Sequence, residues 1–546
     1  MATATNPHLT LASPSEAPQK NVGDIRISAI DIGSNSIRQT IADVSPTGAI
    51  RVVDEMKAAP RLGAGLHKRG KLSAIAIQNA IATLSRMATL ANQLGVKRTE
   101  VVATSAVREA SNGELFLGLV RAETGLKAKV LRGDDEARLA FRSALAHFDL
   151  AAGRAIVMDI GGGSLELTLS ADGLVDRLIS LPLGAIRMTE QYLGGGQRKK
   201  GMRKLRKHVR AELRRSLPAR HWHAAQIICS GGTFTTLASI YLARIGMESA
   251  KTVHGTVIPR VELEHIVDML NSMSPEERQT VPGLNAARSD IIAGGLAVAA
   301  EVAARVDARD LVVSAYGIRE GILLESAHVT PSPADPGEAR ERSVRELAER
   351  SHYEAPHSQH VQKLALQLFD TIGQRLGCTP EDRRLLADAA LLHDIGYHIS
   401  YEKHNKHSYH LIEHAELLGM TPAEQLVVAN VARYHRGAEP KKKHVNYGAL
   451  EKSMRETIKR LSGILRVADG FDRGHAGAVG EIKARWMERA LRLTAVPSRQ
   501  NNNLRLELWG ASRKSNLLSE VAGLPVEIVA PDGTVMTYED DVGDAD

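Results

Sequence analysis

Short apolar runs that end in glycine-rich stretches recur through the first 325 residues of the chain. Three such runs between residues 25 and 58 predict three strands, and the pattern over residues 73 to 94 predicts a helix. The stretch VMDIGGGSLEL, residues 157 to 167, predicts a buried strand, a glycine turn and a return strand. This alternation of strands and helices predicts an α/β fold for this part of the chain.

Two glycine loops carry the candidate chemistry of the α/β part. AIDIGSNSIRQTIADV, residues 29 to 44, repeats the layout of residues 157 to 167: an apolar strand ending near an Asp, a glycine loop and a second strand. A single loop would suit a tight hairpin with one buried Asp, whereas two copies favour a duplicated domain with a cleft between its halves. Backbone N–H groups in such loops can surround an anion. The predicted phosphate-binding residues of the two loops are Gly33, Ser34, Asn35, Gly161, Gly162, Gly163 and Ser164.

Two carboxylates and a third glycine loop extend this candidate site. Asp159 ends the strand before the central loop, and Glu166 lies early in the strand after it. Carboxylates beside a phosphate cradle indicate Mg²⁺, a hard cation that prefers oxygen ligands. Gly231, Gly232 and Thr233 follow another apolar run and open a predicted helix, whose N-terminus can also hold phosphate.

The pattern changes after a proline-rich charged stretch, and the change predicts further domains. Apolar positions at helical spacing follow it, and the end of the chain reads again as strands. We predict a hairpin around residues 501 to 503 and a second strand pair that turns at Asp532 and Gly533. The predicted organisation is a disordered tail over residues 1 to 24, two α/β halves over 25 to 150 and 151 to 326, a linker over 327 to 342, an all-α domain over 343 to 480 and a small α+β domain over 481 to 546.

The composition limits the cellular compartment and the kinds of binding partner that we expect for the protein. The chain has 546 residues and a formal charge of +7, which favours a polyanionic partner, although nucleic acid would fit the charge as well. Residues 197 to 215 concentrate this charge, and the stretch suits a solvated helix face and a polyanion contact equally. Cys229 and Cys378 are too few for a disulfide framework, so we expect a cytoplasmic protein. No apolar run approaches the length of a membrane span.

Further motifs give the α/β part a family resemblance. They are TSAVREASN (104 to 112), RGDDEARL (132 to 139), GGTFTTLA (231 to 238) and SAYGIREG (314 to 321). With both glycine loops, and in this order, they resemble the exopolyphosphatase and guanosine pentaphosphate phosphohydrolase family of the actin-like ATPase superfamily. The resemblance implies a duplicated actin-like (ribonuclease H-like) fold and hydrolysis of a phosphoanhydride. A homodimer is expected, because it is a common arrangement for such folds.

The resemblance also implies roles for single residues. The family's catalytic base is the Glu before Ala-Arg, here Glu136, although on its own this residue would better suit a first-turn carboxylate that stabilises its helix dipole. Asp159 and Glu166 match the metal-associated carboxylates. Arg108 matches a phosphate-contacting arginine, for which a surface ion pair is the plain alternative. Independently of the resemblance, the sequence indicates that Asp134 can cap the helix that carries Glu136.

The all-α part carries a second resemblance. HSQHV (357 to 361), LLHDIGY (391 to 397), KHS (406 to 408), RYHRG (433 to 437) and RVADGFD (466 to 472) follow in order and resemble the HD metal-dependent phosphohydrolase superfamily. The implied metal ligands are His357, His393, Asp394 and Asp469, with His407 and His435 as the extra histidines of two-metal members. Imidazoles and carboxylates suit Mn²⁺, Fe or Zn²⁺. His360 and His404, which lie near these residues in sequence, are placed outside the predicted site.

Several functions fit this interpretation of the α/β part. The favoured one is an exopolyphosphatase that releases terminal phosphate from inorganic polyphosphate, with guanosine pentaphosphate as the alternative substrate. We expect neither a membrane partner nor a specific nucleic acid. A kinase of the same fold would need an adenosine pocket and an acceptor site, and the loop at residues 231 to 233 could serve a nucleotide. The intact Glu136, Asp159 and Glu166 speak against a non-catalytic sensor of polyphosphate or pentaphosphate.

Overall fold

The structure is a computed structural model. It describes residues 23–150, 153–194, 198–218, 222, 226–248, 250–329, 336–415, 417–499 and 504–536. The strands are β1 (Ile25–Ile32), β2 (Ile37–Val44), β3 (Ile50–Ala58), β4 (Arg98–Ala103), β5 (Ala128–Val130), β6 (Arg154–Ile160), β7 (Leu165–Ala171), β8 (Leu174–Leu181), β9 (Gln226–Ser230), β10 (Val257–Pro259), β11 (Asp310–Val313), β12 (Val479–Trp486), β13 (Leu491–Pro497), β14 (Val526–Val529) and β15 (Val535–Met536). The strands predicted between residues 25 and 58 and around the central glycine loop are present.

The first two sheets repeat one arrangement. β1 pairs antiparallel with β2 and parallel with β4, just as β6 pairs antiparallel with β7 and parallel with β9. The strand orders β3-β2-β1-β4-β5 and β8-β7-β6-β9-β11 therefore correspond, and β10 extends the second sheet. Each glycine loop joins the equivalent antiparallel pair, so the predicted duplication of an α/β unit is confirmed.

Helices cover these sheets and build most of the C-terminal part. They are α1 (Leu66–Arg69), α2 (Ala74–Gln93), α3 (Ser105–Glu109), α4 (Gly113–Thr124), α5 (Gly133–His147), α6 (Ala185–Met188), α7 (Arg198–Ser216), α8 (Gly232–Arg244), α9 (Arg260–Ser272), α10 (Pro275–Arg278), α11 (Ile292–Arg305), α12 (Ile318–Ser326), α13 (Pro336–Arg350), α14 (Ala355–Ile372), α15 (Pro380–Leu392), α16 (His404–His414), α17 (Pro422–Arg433), α18 (Val445–Gly448), α19 (Lys452–Gly470), α20 (Arg505–Arg513) and α21 (Asn516–Ala522). Across the described ranges, none of these helices combines the length and the apolar character needed to cross a bilayer.

The helix that ends the second half packs against the first half. Ile322 and Leu323 of α12 join a core that also contains Ile27 and Ala42 from β1 and β2. α5 in turn packs on both α12 and the strands β7 and β8 of the second sheet. α12 belongs to the predicted second half of the α/β part, which ends at residue 326. Through these contacts it connects the two halves beside the cleft.

The C-terminal part forms one core from helices and a sheet. α13 begins at Pro336, inside the stretch of residues 327 to 342 that was predicted to be a linker. β12 to β15 form a four-stranded sheet, and residues of this sheet share a hydrophobic core with Leu461 and Leu465 of α19. Because this core crosses the predicted boundary at residue 480, the all-α and α+β segments pack as one unit.

The end of the chain corrects one strand prediction. The residues that follow the hairpin turn predicted at 501 to 503 form α20, with Leu508 and Ala511 buried about one helical turn apart, so the prediction of a strand there is wrong. The hairpin of this region is instead β12 with β13. The predicted turn at residues 501 to 503 lies outside the described residues. The pair of β14 and β15 is present, on either side of Asp532 and Gly533, as predicted.

Candidate active site

The two glycine loops face each other across a cleft between the halves. The cleft is lined by Gly33, Ser34 and Asn35 of the first loop and by Gly161, Gly162, Gly163 and Ser164 of the second. A Cβ on Gly162 would lie 2.8 Å from the Cβ of Ser34, and one on Gly163 would lie 3.2 Å from Ser34 Oγ. The loops therefore approach as closely as they do because both positions lack a side chain.

Glu136 projects into this cleft from the N-terminal part of α5. Its side chain is buried, and its Oε1 accepts a hydrogen bond from Nη1 of Arg108, which also donates to the carbonyl of Leu131 at 2.5 Å. Burial raises the pKa of Glu136 to about 7, and the charge and hydrogen bond of Arg108 oppose that rise. A carboxylate with a pKa near neutrality is suited to accept a proton from water. Arg108 therefore contacts the candidate base rather than extending freely into the cleft.

The helix that carries Glu136 is not capped by Asp134. α5 has Arg132 at its N-cap, and the Asp135 carboxylate accepts a hydrogen bond from the Arg132 backbone N–H at 3.3 Å. Asp134 lies one position too early to make that contact, so the predicted cap is corrected to its neighbour. The result is a fixed helix start directly before the buried Glu136.

Asp159 and Glu166 are buried on the cleft side of β6 and β7. Asp159 accepts a hydrogen bond from Ser230 Oγ at 3.1 Å, and Glu166 accepts one from Ser180 Oγ at 2.9 Å. Burial raises the pKa of both carboxyl groups, and the negative charge of Glu136 adds to the rise at Glu166. When several carboxyl groups share one site, each disfavours the ionised form of the others unless a bound cation balances their charge.

The cleft also contains Asp31, which the sequence analysis did not select. Burial raises its pKa to about 6, against the opposing charges of Arg319 and Arg38. Its buried Oδ1 has no hydrogen-bond partner among the described residues. An unpartnered carboxylate oxygen beside Asp159 and Glu166 fits an oxygen-ligated cation, so this set of residues is suited to Mg²⁺.

Three arginines line the cleft and were missed by the sequence analysis. Arg319 pairs with Glu55 at 2.7 Å, while Arg38 and Arg288 have no carboxylate within ion-pair distance among the described residues. Burial, and then the charge of Arg38, lowers the pKa of Arg288 to about 10. Three guanidinium groups in one cleft, two of them without an ion-pair partner among the described residues, are suited to a phosphate-rich ligand. Arg38 could have been found by aligning the two repeats, because it follows its glycine loop as Glu166 follows the second.

The third glycine loop lines the cleft with its two glycines and not with the side chain of Thr233. Gly231 and Gly232 line the cleft, together with Thr235. A Cβ on Gly231 would lie 2.6 Å from Asp159 Oδ1, and its φ of +92° also favours glycine. The Thr233 hydroxyl instead donates to the Ile160 carbonyl at 3.2 Å. The structure therefore places Thr233 behind the cleft, where it holds the second glycine loop.

A second cluster lies in the C-terminal part, at the ends of α15 and α19. Nε2 of His393 lies 3.5 Å from Asp394 Oδ2, and Nε2 of His357 lies 3.7 Å from oxygens of both Asp394 and Asp469. The Nε2 atoms of His357 and His393 are buried and make no hydrogen bond within the described residues. Two unpartnered imidazole nitrogens that face carboxylates fit a transition-metal ion.

The cluster continues on the other side of Asp394 and corrects one predicted ligand. Asp394 Oδ1 lies 3.1 Å from Nε2 of His404 and 3.3 Å from Nε2 of His435. His404, Ser408 and Ile412 are all buried and repeat every four residues, so they define the inner face of α16. His407 falls outside this repeat and is only half-buried. The structure therefore brings His404, which was placed outside the predicted site, to the cluster in place of His407, and His360 is not among the grouped residues.

Backbone carbonyls and one further carboxylate orient three imidazoles of the cluster. The Nδ1 atoms of His393 and His435 each contact a backbone carbonyl at 2.7 Å, whereas Nδ1 of His357 contacts Asp472 Oδ2 at 2.8 Å. These contacts leave the Nε2 atoms of the three rings free to face the centre. Lys514 from the loop after α20 pairs with Asp469. The sequence analysis missed this lysine because no local motif links it to the cluster.

Burial and the neighbouring charges act in opposite directions on the pKa values of the cluster. Burial disfavours the Asp394 carboxylate, but the surrounding His393, His404 and His435 hold its pKa well below the usual range. Burial lowers the pKa of His435 strongly, despite the nearby carboxylates. At His357, by contrast, burial is outweighed by Asp472, Asp469 and Asp394, which raise the pKa of the imidazole. A neutral imidazole beside an ionised carboxylate is the state in which both groups ligate metals, and among these two histidines the pKa shift favours it at His435.

Comparison with known proteins identifies the family. A family model described as the Ppx/GppA phosphatase family matches residues 40 to 330. The chain belongs to the Ppx/GppA phosphatase family. A further model, described as Ppx/GppA phosphatase domain III, matches residues 339 to 513, which include the His–Asp cluster. The family resemblance proposed from the motifs of the α/β part is thereby confirmed, and the protein is a phosphatase-family hydrolase.

Relatives of this Ppx/GppA member carry two kinds of name. The chain is 27% identical over 413 residues to a guanosine-5′-triphosphate,3′-diphosphate pyrophosphatase of Vibrio vulnificus, covering 75% of this chain and 80% of the relative. An exopolyphosphatase-like protein of known structure is 26% identical with a TM-score of 0.51, covering 56% of this chain and 99% of its own. An exopolyphosphatase from Cytophaga hutchinsonii shares the fold, with a TM-score of 0.50 and 23% identity over 56% of this chain and 99% of its own.

Proposed function

We propose that the cleft hydrolyses the terminal phosphoanhydride of inorganic polyphosphate, with guanosine pentaphosphate as the alternative substrate. The observation that carries the proposal is the position of Glu136: a buried carboxylate with a raised pKa, between two glycine loops and beside Arg108. A polyanion with a crowded terminal phosphate needs positioning and charge neutralisation more than covalent chemistry.

The glycine loops would bind the terminal phosphate through backbone N–H groups. Glu136 would accept a proton from water as the water oxygen bonds to the terminal phosphorus. The bond from that phosphorus to the bridging oxygen then breaks, and the products are inorganic phosphate and a chain shorter by one phosphate. Arg108 would orient the Glu136 carboxylate before the reaction and stabilise it.

Asp31, Asp159 and Glu166 would hold Mg²⁺, which supplies neutralisation of phosphate charge when bound. Arg38, Arg288 and Arg319 would contact the phosphates behind the terminal one, because they line the same cleft and two of them lack a carboxylate partner among the described residues. Together these groups could balance the charge that accumulates on the phosphate oxygens during hydrolysis.

The names of the relatives support both substrates. The relative of Vibrio vulnificus is named for guanosine pentaphosphate, whereas the solved structure that is 26% identical is named as exopolyphosphatase-like. The direct test compares phosphate release from long-chain polyphosphate and from guanosine pentaphosphate, with Mg²⁺ and with a chelator. Release from neither substrate in the presence of Mg²⁺ would contradict the proposal, and transfer of the phosphate to an added acceptor would favour the kinase alternative.

We also propose that the His–Asp cluster is an HD-type metal centre. His357, His393, Asp394 and Asp469 would hold one ion, and Asp394 with His404 and His435 could hold a second one. Mn²⁺, Fe and Zn²⁺ all suit these ligands. The support is the pair of buried Nε2 atoms of His357 and His393, which have no hydrogen-bond partner in the described part of the chain, since such atoms are costly in the absence of a ligand. Metal analysis of the purified protein tests this proposal.

A homodimer and a cytoplasmic location stay predictions of the sequence.

A further inference from the structure

A row of aromatic rings leads from the protein surface to the His–Asp cluster. Tyr397 follows Asp394 by three residues, and its ring stacks on the ring of His404 with centroids 3.9 Å apart and planes at 23°. Tyr401 lies next to Tyr397, with centroids 5.5 Å apart. On the inner side, the His404 ring lies 5.5 Å from that of His435. The row therefore ends at the nitrogen atoms that face Asp394.

The outer rings of this row are open to solvent. Tyr401 is 72% exposed and Tyr397 is 39% exposed, and Ile399 between them in sequence is 53% exposed. Core packing does not account for an exposed tyrosine pair beside a buried polar centre. A flat ligand that covers these rings would remove apolar surface from water and gain stacking energy.

A guanidinium group lies beside the same row. Nη1 of Arg436 is 3.4 Å from both ring nitrogens of His404, and within the described residues Arg436 forms no ion pair with a carboxylate. Lys514, which pairs with Asp469, is a second positive side chain at the centre. The neighbourhood of the centre thus offers positive charge for a phosphate as well as faces for a ring.

We propose that this surface binds a nucleotide, with its base on Tyr397 and Tyr401 and its phosphate near Arg436 and the His–Asp centre. The assignment rests on the proposed metal centre for the phosphate position, but the base position rests on the rings alone. Inorganic polyphosphate has no face that could stack, so the surface discriminates in favour of a nucleoside phosphate. Every base has such a face, and base–aromatic stacking contributes about 1–3 kcal/mol per base.

The test measures binding of guanosine 5′-monophosphate and of ribose 5-phosphate to the full-length, Mn²⁺-treated protein by calorimetry. The two ligands share sugar and phosphate and differ in the base. We expect the nucleotide to bind at least tenfold more tightly than the sugar phosphate. The double variant Tyr397→Leu/Tyr401→Leu should lose that difference, whereas Tyr397→Phe/Tyr401→Phe should keep it, because phenylalanine retains the stacking face.

Polyphosphate hydrolysis at the other site checks that the variants fold, since neither tyrosine lies in that cleft. Equal binding of the two ligands to the wild-type protein, or a preference that survives the leucine variant, would overturn the inference. The metal content of each sample separates it from the metal proposal. Metal-free protein with a tyrosine-dependent preference supports the nucleotide surface and refutes the metal centre. Metal-loaded protein without that preference refutes the nucleotide surface alone.

Discussion

Arg38 and Glu166 occupy the same position in the two halves of the cleft. Arg38 lies opposite Asp31 in the hairpin of β1 and β2, and Glu166 lies opposite Asp159 in the equivalent hairpin of β6 and β7. The duplicated layout therefore presents a cation from one half and a carboxylate from the other. This difference suits a ligand that contains phosphate oxygens and a metal ion together.

Arg38→Met should weaken substrate binding. A buried charged hydrogen bond contributes about 1.5–3 kcal/mol, so kcat/KM should fall roughly 10- to 100-fold, mainly through KM. Steady-state phosphate release measures the change. Arg121→Met, on the exposed side of α4, removes a comparable charge away from the cleft and should leave both constants unchanged. Equal effects of the two substitutions would remove Arg38 from the substrate site.

The raised pKa of Glu136 predicts the pH dependence of activity. Because the base must be ionised, kcat/KM should decline about tenfold per pH unit below the pKa of about 7. The folded pKa lies above the ordinary value of 4.5, so the folded protein binds this proton more tightly than the unfolded chain. The contribution of Glu136 to the free energy of unfolding therefore falls as pH rises from 4.5 to 7. A profile that is flat between pH 5 and 8 would contradict the assignment.

The cations at the start of α7 should matter most for long substrates. Met202, Leu205 and Val209 bury one face of this helix, while Lys199, Lys200 and Lys204 are exposed on the other. A triple Lys→Gln change at these three positions should raise KM for long polyphosphate more than for guanosine pentaphosphate and reduce its salt dependence.

Changing Lys441, Lys442 and Lys443 to glutamine provides the matched control, because these three exposed lysines lie in the C-terminal part. If both triple variants lose polyphosphate affinity alike, the effect reflects net charge and α7 is only a solvated helix.

The metal proposal separates two histidines of α16. His404→Ala should lower the metal content of the Mn²⁺-treated protein, and His393→Ala with Asp394→Ala should abolish metal binding. His407→Ala should leave the metal content unchanged, because His407 lies outside the cluster. Elemental analysis of the full-length protein gives the result, and the melting temperature should rise with added metal only where the site is intact. Unchanged metal content in the His393 and Asp394 double variant would refute the site.

The glycine loops could be predicted from sequence because their chemistry is local. Each loop sits between two apolar strands and carries its own backbone donors, so the residues from Gly161 to Ser164 needed no knowledge of distant contacts. Asp159 and Glu166 were found for the same reason, since they lie opposite each other in one hairpin.

Residues that reach their site from another element could not be predicted in this way. Arg288 and Arg319 enter the cleft from separate elements far along the chain, and Lys514 reaches Asp469 from the loop after α20. The choice of His404 over His407 depends on which face of α16 is buried, and that follows from packing against the turn at Gly396. A Cβ on Gly396 would lie 2.0 Å from the His404 carbonyl, which shows how close that packing is.

The substitution Glu136→Gln tests the central claim most directly, because it removes the base and keeps the shape of the side chain. Asp135→Asn is the matched control, since that carboxylate is partly exposed and caps α5. Phosphate release under saturating polyphosphate and Mg²⁺ should fall about 100- to 10,000-fold in the Gln variant, with substrate affinity by calorimetry retained. The Asn control should stay within a few-fold of wild type. Turnover near the wild-type rate in the folded Gln variant would contradict the role of Glu136 as the base.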